Sequence, residues 1–418
     1  MDPDLVVRAG RLLDGRVVDI AIRAGSIDTV VEHSADRRPG SATVIEADGR
    51  LVTPSFVDAH IHLDKVHTLP MLDDRAIEAY TGDGMAGAAT AIEIARAVKT
   101  GGYRRETLLP SIRRALQEAV RYGTLQVQAF VDVDTAAGLE GLHAVLAARA
   151  EFRAVLDISV VAFPQDGLLR DPGAADLCEQ ALHQGADVVG GIPWIEHTPA
   201  DAREHVEWAC ALAARTGRRV AMLVDDAGDP SLRTTEMLAE AMVRHGLTGR
   251  GVACHARATA LYPQAALLRL IELAAQARLA FVSDPHTGPL ALPVARVRQA
   301  GLDVALGQDD IEDAYYPYGR HNMLEVAFLA SHLLDLRSGP DQVYLVDMVT
   351  TQAARVLGTA GHAVRTAGPA NLCIHGQERV VDLLREHAAP RWVVGRGRVV
   401  AETATTTTFH RPARQASA

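Results

Sequence analysis

The chain has 418 residues, of which 48% are hydrophobic and 22% charged, with a formal net charge of −10. This composition excludes a disordered chain, and the negative balance argues against a nucleic-acid surface, which needs clustered Lys and Arg. No window nears the ~18 apolar residues of a membrane span, and MDPDLVVRAGRLLDG lacks a basic segment followed by a long apolar run. A cytoplasmic protein acting on a small polar molecule is expected, with no nucleic acid and no membrane as partner and with homo-oligomer formation left open.

Residues 4–52 alternate apolar and polar positions in short runs, DLVVRAG, VVDIAIRAGSIDTVVE and ATVIEADGRLVTP, punctuated by Gly and Asp. The pattern predicts the hairpins of a small antiparallel sheet. The next run, FVDAHIHLDK, reads as a strand ending in His60 and His62, and alternate residues on a strand share a face. Further on, LQVQAFVDV, DISVVAF, GADVVGGIPW, RRVAMLVDD, GVACHA, LAFVSD and LDVALGQDD alternate with helical patterns such as DAREHVEWACALAART. Repeated β-then-α units imply a parallel sheet, and their number over ~300 residues fits a (β/α)8 barrel better than an open sheet. No GxGxxG follows a strand to suggest dinucleotide binding. Strand texture returns in ANLCIHG and RWVVGRGRVVAE.

The expected fold is therefore α/β: a (β/α)8 TIM-type barrel with a small β-sandwich domain formed by both termini. Residues 1–54 and 363–405 are expected to form the sandwich and 55–362 the barrel, with the polar stretch 406–418 a disordered tail. Cys178, Cys210, Cys254 and Cys373 are widely spaced without a CxxC pair and read as buried thiols. The 42 basic residues include only two lysines, Lys65 and Lys99.

Active sites of such barrels sit at the C-terminal ends of the strands. Those ends carry His60 and His62, Gln165, Trp194, Asp225 and Asp226, His255, Asp284 and His286, and Asp309 and Asp310. A purely structural barrel has no need of that polar set, so its convergence marks a site. The last strand of a barrel closes beside the first, which places GQDD next to the HxH pair. Two imidazoles and a carboxylate begin a zinc or iron centre with an open position, whereas an isolated HxH would only hydrogen-bond to loops. Lys65 and His67 read as surface residues, and His321 as the cap of the helix after it.

With PSFVDAHIHLDK, VVAFPQDGLL, VACHA, VALGQDDIEDAYYPYGRHNMLEVA and TTQAARVLG in view, nearly the whole chain resembles the metal-dependent amidohydrolase superfamily, in its cytosine deaminase-like branch. The resemblance implies the barrel and sandwich. It also implies one divalent metal held by the HxH pair, a histidine after strand five and an aspartate after strand eight. By matching motifs, His60, His62 and Asp309 would be ligands, and His255 would contact the water at the metal. Gln165 would hydrogen-bond the heterocycle, Asp310 would face its ring, Tyr315 would stand where a larger aromatic stacks, and Trp194 and His286 would complete the substrate site. Related members bridge two metals with a lysine after strand four; that end reads GGIPWIE, so a single-metal centre is implied.

One motif departs from the family. After strand five the usual run is close to HVDETDDP, and this chain has LVDDAGDP, which puts Leu223 at the ligand position and the shorter Asp226 at the proton-shuttle position. Three readings follow: His255 moves into the ligand position, Asp225 reaches in as an oxygen ligand, or the metal is weakly held or absent. With metal, activated water would attack an amidine or amide carbon. Asp309 would take its proton, and Asp226 or His255 would protonate the departing nitrogen. The expected function is hydrolysis of a carbon–nitrogen bond in a small cyclic amidine, amide or N-heterocycle, deamination favoured. The alternative is a divergent member, such as a metal-poor ligand-binding protein or a lyase.

Overall fold

Strands β1 (Leu5–Arg11), β2 (Val17–Arg23) and β3 (Ser26–Glu32) pair as antiparallel hairpins, while β4 (Thr43–Glu46) lies parallel to β1. The sheet order is β3-β2-β1-β4, so the sheet is mixed where alternation had predicted hairpins throughout. Its fourth strand crosses β2 to reach the far side of β1, a choice that local alternation does not encode. The computed structural model describes residues 3–36, 40, 42–72, 78, 90, 93–96 and 99–410.

A second four-stranded sheet joins β5 (Val52–Pro54) to three strands from the other end of the chain. Apolar residues of both sheets, among them Val7, Ile20, Ile22, Leu372, Ile374 and Val394, form one buried core between them. The sandwich is thus built from both termini.

Eight strands follow in chain order: β6 (Phe56–Ile61), β7 (Thr124–Asp132), β8 (Asp157–Phe163), β9 (Val188–Gly191), β10 (Arg219–Val224), β11 (Gly251–His255), β12 (Ala280–Ser283) and β13 (Val304–Leu306). Each is parallel to the next in a single sheet. The ring closes just past β13, where the Asp309 amide donates to the His60 carbonyl at 2.8 Å and the His62 amide to the Asp309 carbonyl at 2.9 Å. Period-two alternation divides each strand between two cores. Val57, Ala59, Phe130, Phe163, Ala221, Leu223, Val252 and Cys254 fill the barrel, whereas Phe56, Val127, Val160, Val220 and Met222 meet the surrounding helices. The last three strands, β14 (Leu372–Ile374), β15 (Trp392–Gly395) and β16 (Arg398–Glu402), complete the sandwich.

Local sequence fixes the covering helices. In the helix Pro199–Thr216, Thr198 accepts from the Asp201 amide and Asp201 accepts from the Thr198 amide; Pro199 supplies a preset φ, and Gly217 ends the helix at φ +70°. All four cysteines are buried and unpaired. Residues 403–410 carry no helix or strand, and the rest of the expected tail lies outside the described residues.

Candidate active site

At the C-terminal mouth of the barrel, β6 and the turn after β13 bring three donors together. His60 Nε2 lies 2.9 Å from Asp309 Oδ1, and His62 Nε2 lies 3.5 Å from the same oxygen. All three side chains are buried. Burial disfavours charge on the rings, holding His60 down to about 3 and His62 well below its usual range, so both are neutral imidazoles. Burial also pushes the Asp309 carboxyl up to about 7, against the pull of His286. Neutral imidazoles beside a carboxylate are the donor set a divalent cation requires.

The neighbouring strands supply the rest. His255, at the end of β11, presents Nδ1 to Asp284 Oδ2 at 3.2 Å and Nε2 to Asp309 Oδ2 at 4.0 Å. His255 and Asp309 have left-handed backbones, with φ of 65° and 61°. For non-glycine residues such φ values cost on the order of 1 kcal/mol or more, and such strain concentrates at functional sites. Asp226 pairs with Arg257 Nε at 2.7 Å, and burial raises its pKa while Arg257 pulls it back. His286 stands behind Asp309 and Asp310, 3.6 and 3.9 Å from their carboxylates, with its ring against Tyr316 rather than on the cavity wall.

Leu223 faces inward from β10 and lines the central cavity beside His62, His255 and Asp309. Gln165, Trp194, Asp310 and Tyr315 line the same cavity. Asp225 is not brought to it. Its Oδ1 accepts from the Thr234 amide and hydroxyl, both at 2.7 Å, and its Oδ2 from the Thr235 hydroxyl at 2.6 Å and the Tyr262 hydroxyl at 2.9 Å. This aspartate accepts from the first two amides of the helix Thr234–Arg244, its oxygens are occupied there, and it belongs to none of the candidate metal-binding groups among the described residues.

Two further expectations are corrected. Lys65 is no surface charge: it is 4% exposed, with Nζ 2.6 Å from Asp132 Oδ1 and 2.9 Å from His62 Nδ1. Lys99, equally buried, holds Asp132, Asp134 and Asp166, and Arg96 pairs with Asp166 at 2.7 Å. Both lysines of the chain thus enter one acidic network beside β7 and β8, a site that lysine scarcity hinted at and that motif reading missed. His321 does not cap the next helix; Asn322 does, and His321 bridges Asp58 Oδ2 at 3.0 Å and the Ala115 carbonyl at 3.2 Å.

The sequence profile of the amidohydrolase family matches residues 94–401. The chain belongs to the amidohydrolase family. As an amidohydrolase it is an enzyme of carbon–nitrogen bonds other than peptide bonds. It is 30% identical over 372 residues to an N-isopropylammelide isopropyl amidohydrolase of Pseudomonas sp. (strain ADP), covering 85% of this chain and 87% of that one. A 5-methylcytosine deaminase from Klebsiella pneumoniae superposes with a TM-score of 0.88 at 27% identity, covering 97% of this chain and all of that one. An atrazine chlorohydrolase from Arthrobacter aurescens TC1, solved with zinc, shares the fold at 18% identity with a TM-score of 0.70 over 95% of each chain. The family is generally metal-dependent, and His60, His62 and Asp309 form one of the candidate metal-binding groups of this amidohydrolase. Among the described residues no helix is long and apolar enough to cross a membrane.

Proposed function

We propose that this amidohydrolase hydrolyses a carbon–nitrogen bond of a small cyclic amidine, amide or related N-heterocycle, deamination favoured over ring opening, with one zinc or iron ion at the barrel mouth. The observation that carries the reading is the convergence of His60, His62 and Asp309, whose donor atoms lie within 4.8 Å of one another, on a cavity also lined by Gln165 and Asp310. The names of two relatives, a 5-methylcytosine deaminase and an N-isopropylammelide amidohydrolase, support that substrate class.

The donor set fits a divalent cation, since two neutral imidazoles and a carboxylate leave a position open. His60, His62 and Asp309 would hold it. Such an ion supplies Lewis acidity and makes water a usable nucleophile, lowering its pKa from about 15.7 to about 7. Asp309, beside that water, would take its proton and pass it on. Asp226, raised by burial and steadied by Arg257, is the donor for the departing nitrogen. The amide of Gln165 and the carboxyl of Asp310 orient the heterocycle through complementary hydrogen bonds, and Leu223 gives the wall an apolar face.

Two measurements on the full chain test the reading. Metal content of protein purified without added metal should be near one per chain and be lost in His60→Ala. Ammonia or amine release should be detected from some member of a panel of aminopyrimidines, aminotriazines and pterins. A wild-type protein that binds no zinc or iron would sink the proposal. That outcome would favour the second reading, a metal-poor ligand-binding protein or lyase, which Leu223 and the approach of the Lys65 ammonium to His62 Nδ1 support.

A further inference from the structure

Near the end of β10, where the family resemblance implies a ligand, this chain offers Leu223, an aliphatic side chain that cannot coordinate. One strand away, His255 shares its cavity. It is 3% exposed, and neither of its ring nitrogens makes a hydrogen bond among the described residues. Nε2 looks toward Asp309 Oδ2 at 4.0 Å, and the ring stands edge-on to His60 with centroids 5.1 Å apart. Nδ1 looks toward Asp284 Oδ2 at 3.2 Å. One ring nitrogen turned to the centre and the other 3.2 Å from a carboxylate place His255 one ring rotation from the arrangement of ligating histidines, in which the second nitrogen donates to a carboxylate that sets the tautomer and raises the basicity of the first.

Gly307 gives independent support. A Cβ at that position would lie 2.2 Å from Asp284 Oδ1 and 2.7 Å from His60 Cβ. The bare backbone after β13 is therefore what lets the Asp284 carboxylate come up beside the centre. His60, His255 and Asp284 form a candidate metal-binding group of their own, with donor atoms within 4.8 Å of one another, and it shares His60 with the group His60, His62 and Asp309.

We propose that His255 is itself a metal ligand in this chain, replacing the donor missing at Leu223, and that Asp284 is its positioning residue. The inference rests on the metal-dependent reading above. It moves one ligand from β10 to β11 and leaves Leu223 as an apolar wall of the substrate cavity.

X-ray absorption on the zinc-loaded full-length protein counts imidazoles directly. Three are expected in wild type and two in His255→Ala, whose zinc affinity, read by chelator competition, should fall by more than the ~10–100-fold that losing an outer partner costs. Asp284→Asn should lose about 10–100-fold, and Leu223→His/His255→Ala should regain both the third imidazole and most of the affinity. Two imidazoles in wild type, with His255→Ala binding zinc as tightly, would overturn the inference and leave the metal-dependent reading intact. No zinc bound by wild type would overturn both. If His255→Ala fails to fold, the wild-type count and the Asp284→Asn affinity decide alone.

Discussion

Two buried polar clusters sit side by side at the barrel mouth and are built on opposite rules. Beside β7 and β8, Lys65, Lys99 and Arg96 face Asp132, Asp134 and Asp166, and each cation has a carboxylate within hydrogen-bond reach. Burial opposes ionisation of Asp132, yet Lys65 and Lys99 outweigh it and hold the carboxyl below its usual range. Around β6, β11 and β13 the pairing is incomplete. His60 Nδ1, both ring nitrogens of His255, and Asp310 Oδ1 make no hydrogen bond among the described residues, and burial pushes Asp309 to about 7 and Asp310 well above its usual range. Buried polar groups left unpaired cost stability, so a fold retains them where something else is to bind. The paired cluster has the character of architecture, and the less completely paired one is the proposed binding site.

Breaking the paired cluster should have the largest effect. Lys99→Met removes the cation shared by Asp132, Asp134 and Asp166, leaves buried Asp134 without one, and should cost about 3–5 kcal/mol, read as a lower urea midpoint at constant m-value. His60→Asn, which keeps more of the buried volume than alanine would, should do the reverse, abolishing tight metal binding while costing the metal-free protein less stability than Lys99→Met does. Equal destabilisation by the two variants would erase the distinction between the clusters.

The pH dependence of metal binding sharpens the comparison. Metal-free Asp309 is protonated below about 7, so binding there must release a proton. Zinc affinity should therefore weaken about tenfold per unit as pH falls from 6.5 to 5.5, and be nearly flat above 7.5; competition with a chelator of known proton affinity measures it. A flat profile through 6 would show that Asp309 is already ionised and contradict its placement in the unpaired cluster.

The smallest effect concerns the cavity. Trp194 Nε1 is buried in the wall without a hydrogen bond among the described residues. If it donates to the substrate, Trp194→Phe should lose one neutral hydrogen bond, about 1 kcal/mol or fivefold in KM, with kcat nearly unchanged. An unaltered KM would reduce Trp194 to packing.

The barrel was legible because helix and strand periods alternate along the chain, and the unpaired cluster because HxH and GQDD fall at strand ends that a closed ring makes adjacent. What was not legible depends on distance in sequence. Asp225 and Asp226 follow the same strand, and nothing local tells which will be caught by Thr234, Thr235 and Tyr262 and which by Arg257. Lys65 looks like any loop lysine until Asp132, on another strand, is placed beside it. The parallel docking of β4 on β1 is hidden in the same way. By contrast, the departure at Leu223 could be read directly against the run that the family resemblance implies after strand five, and the structure turns that side chain into the barrel.

The seam of the barrel gives the site a mechanical side. Two backbone hydrogen bonds, between Asp309 and the His60 and His62 positions, stitch the ring shut beside the site, and they join the same residues whose side chains converge on the centre. An ion held by those side chains would act as a rivet across the seam. Cargo and closure would then share one fastening, and loss of the ion would be felt first as local opening between the first and last strands of the ring.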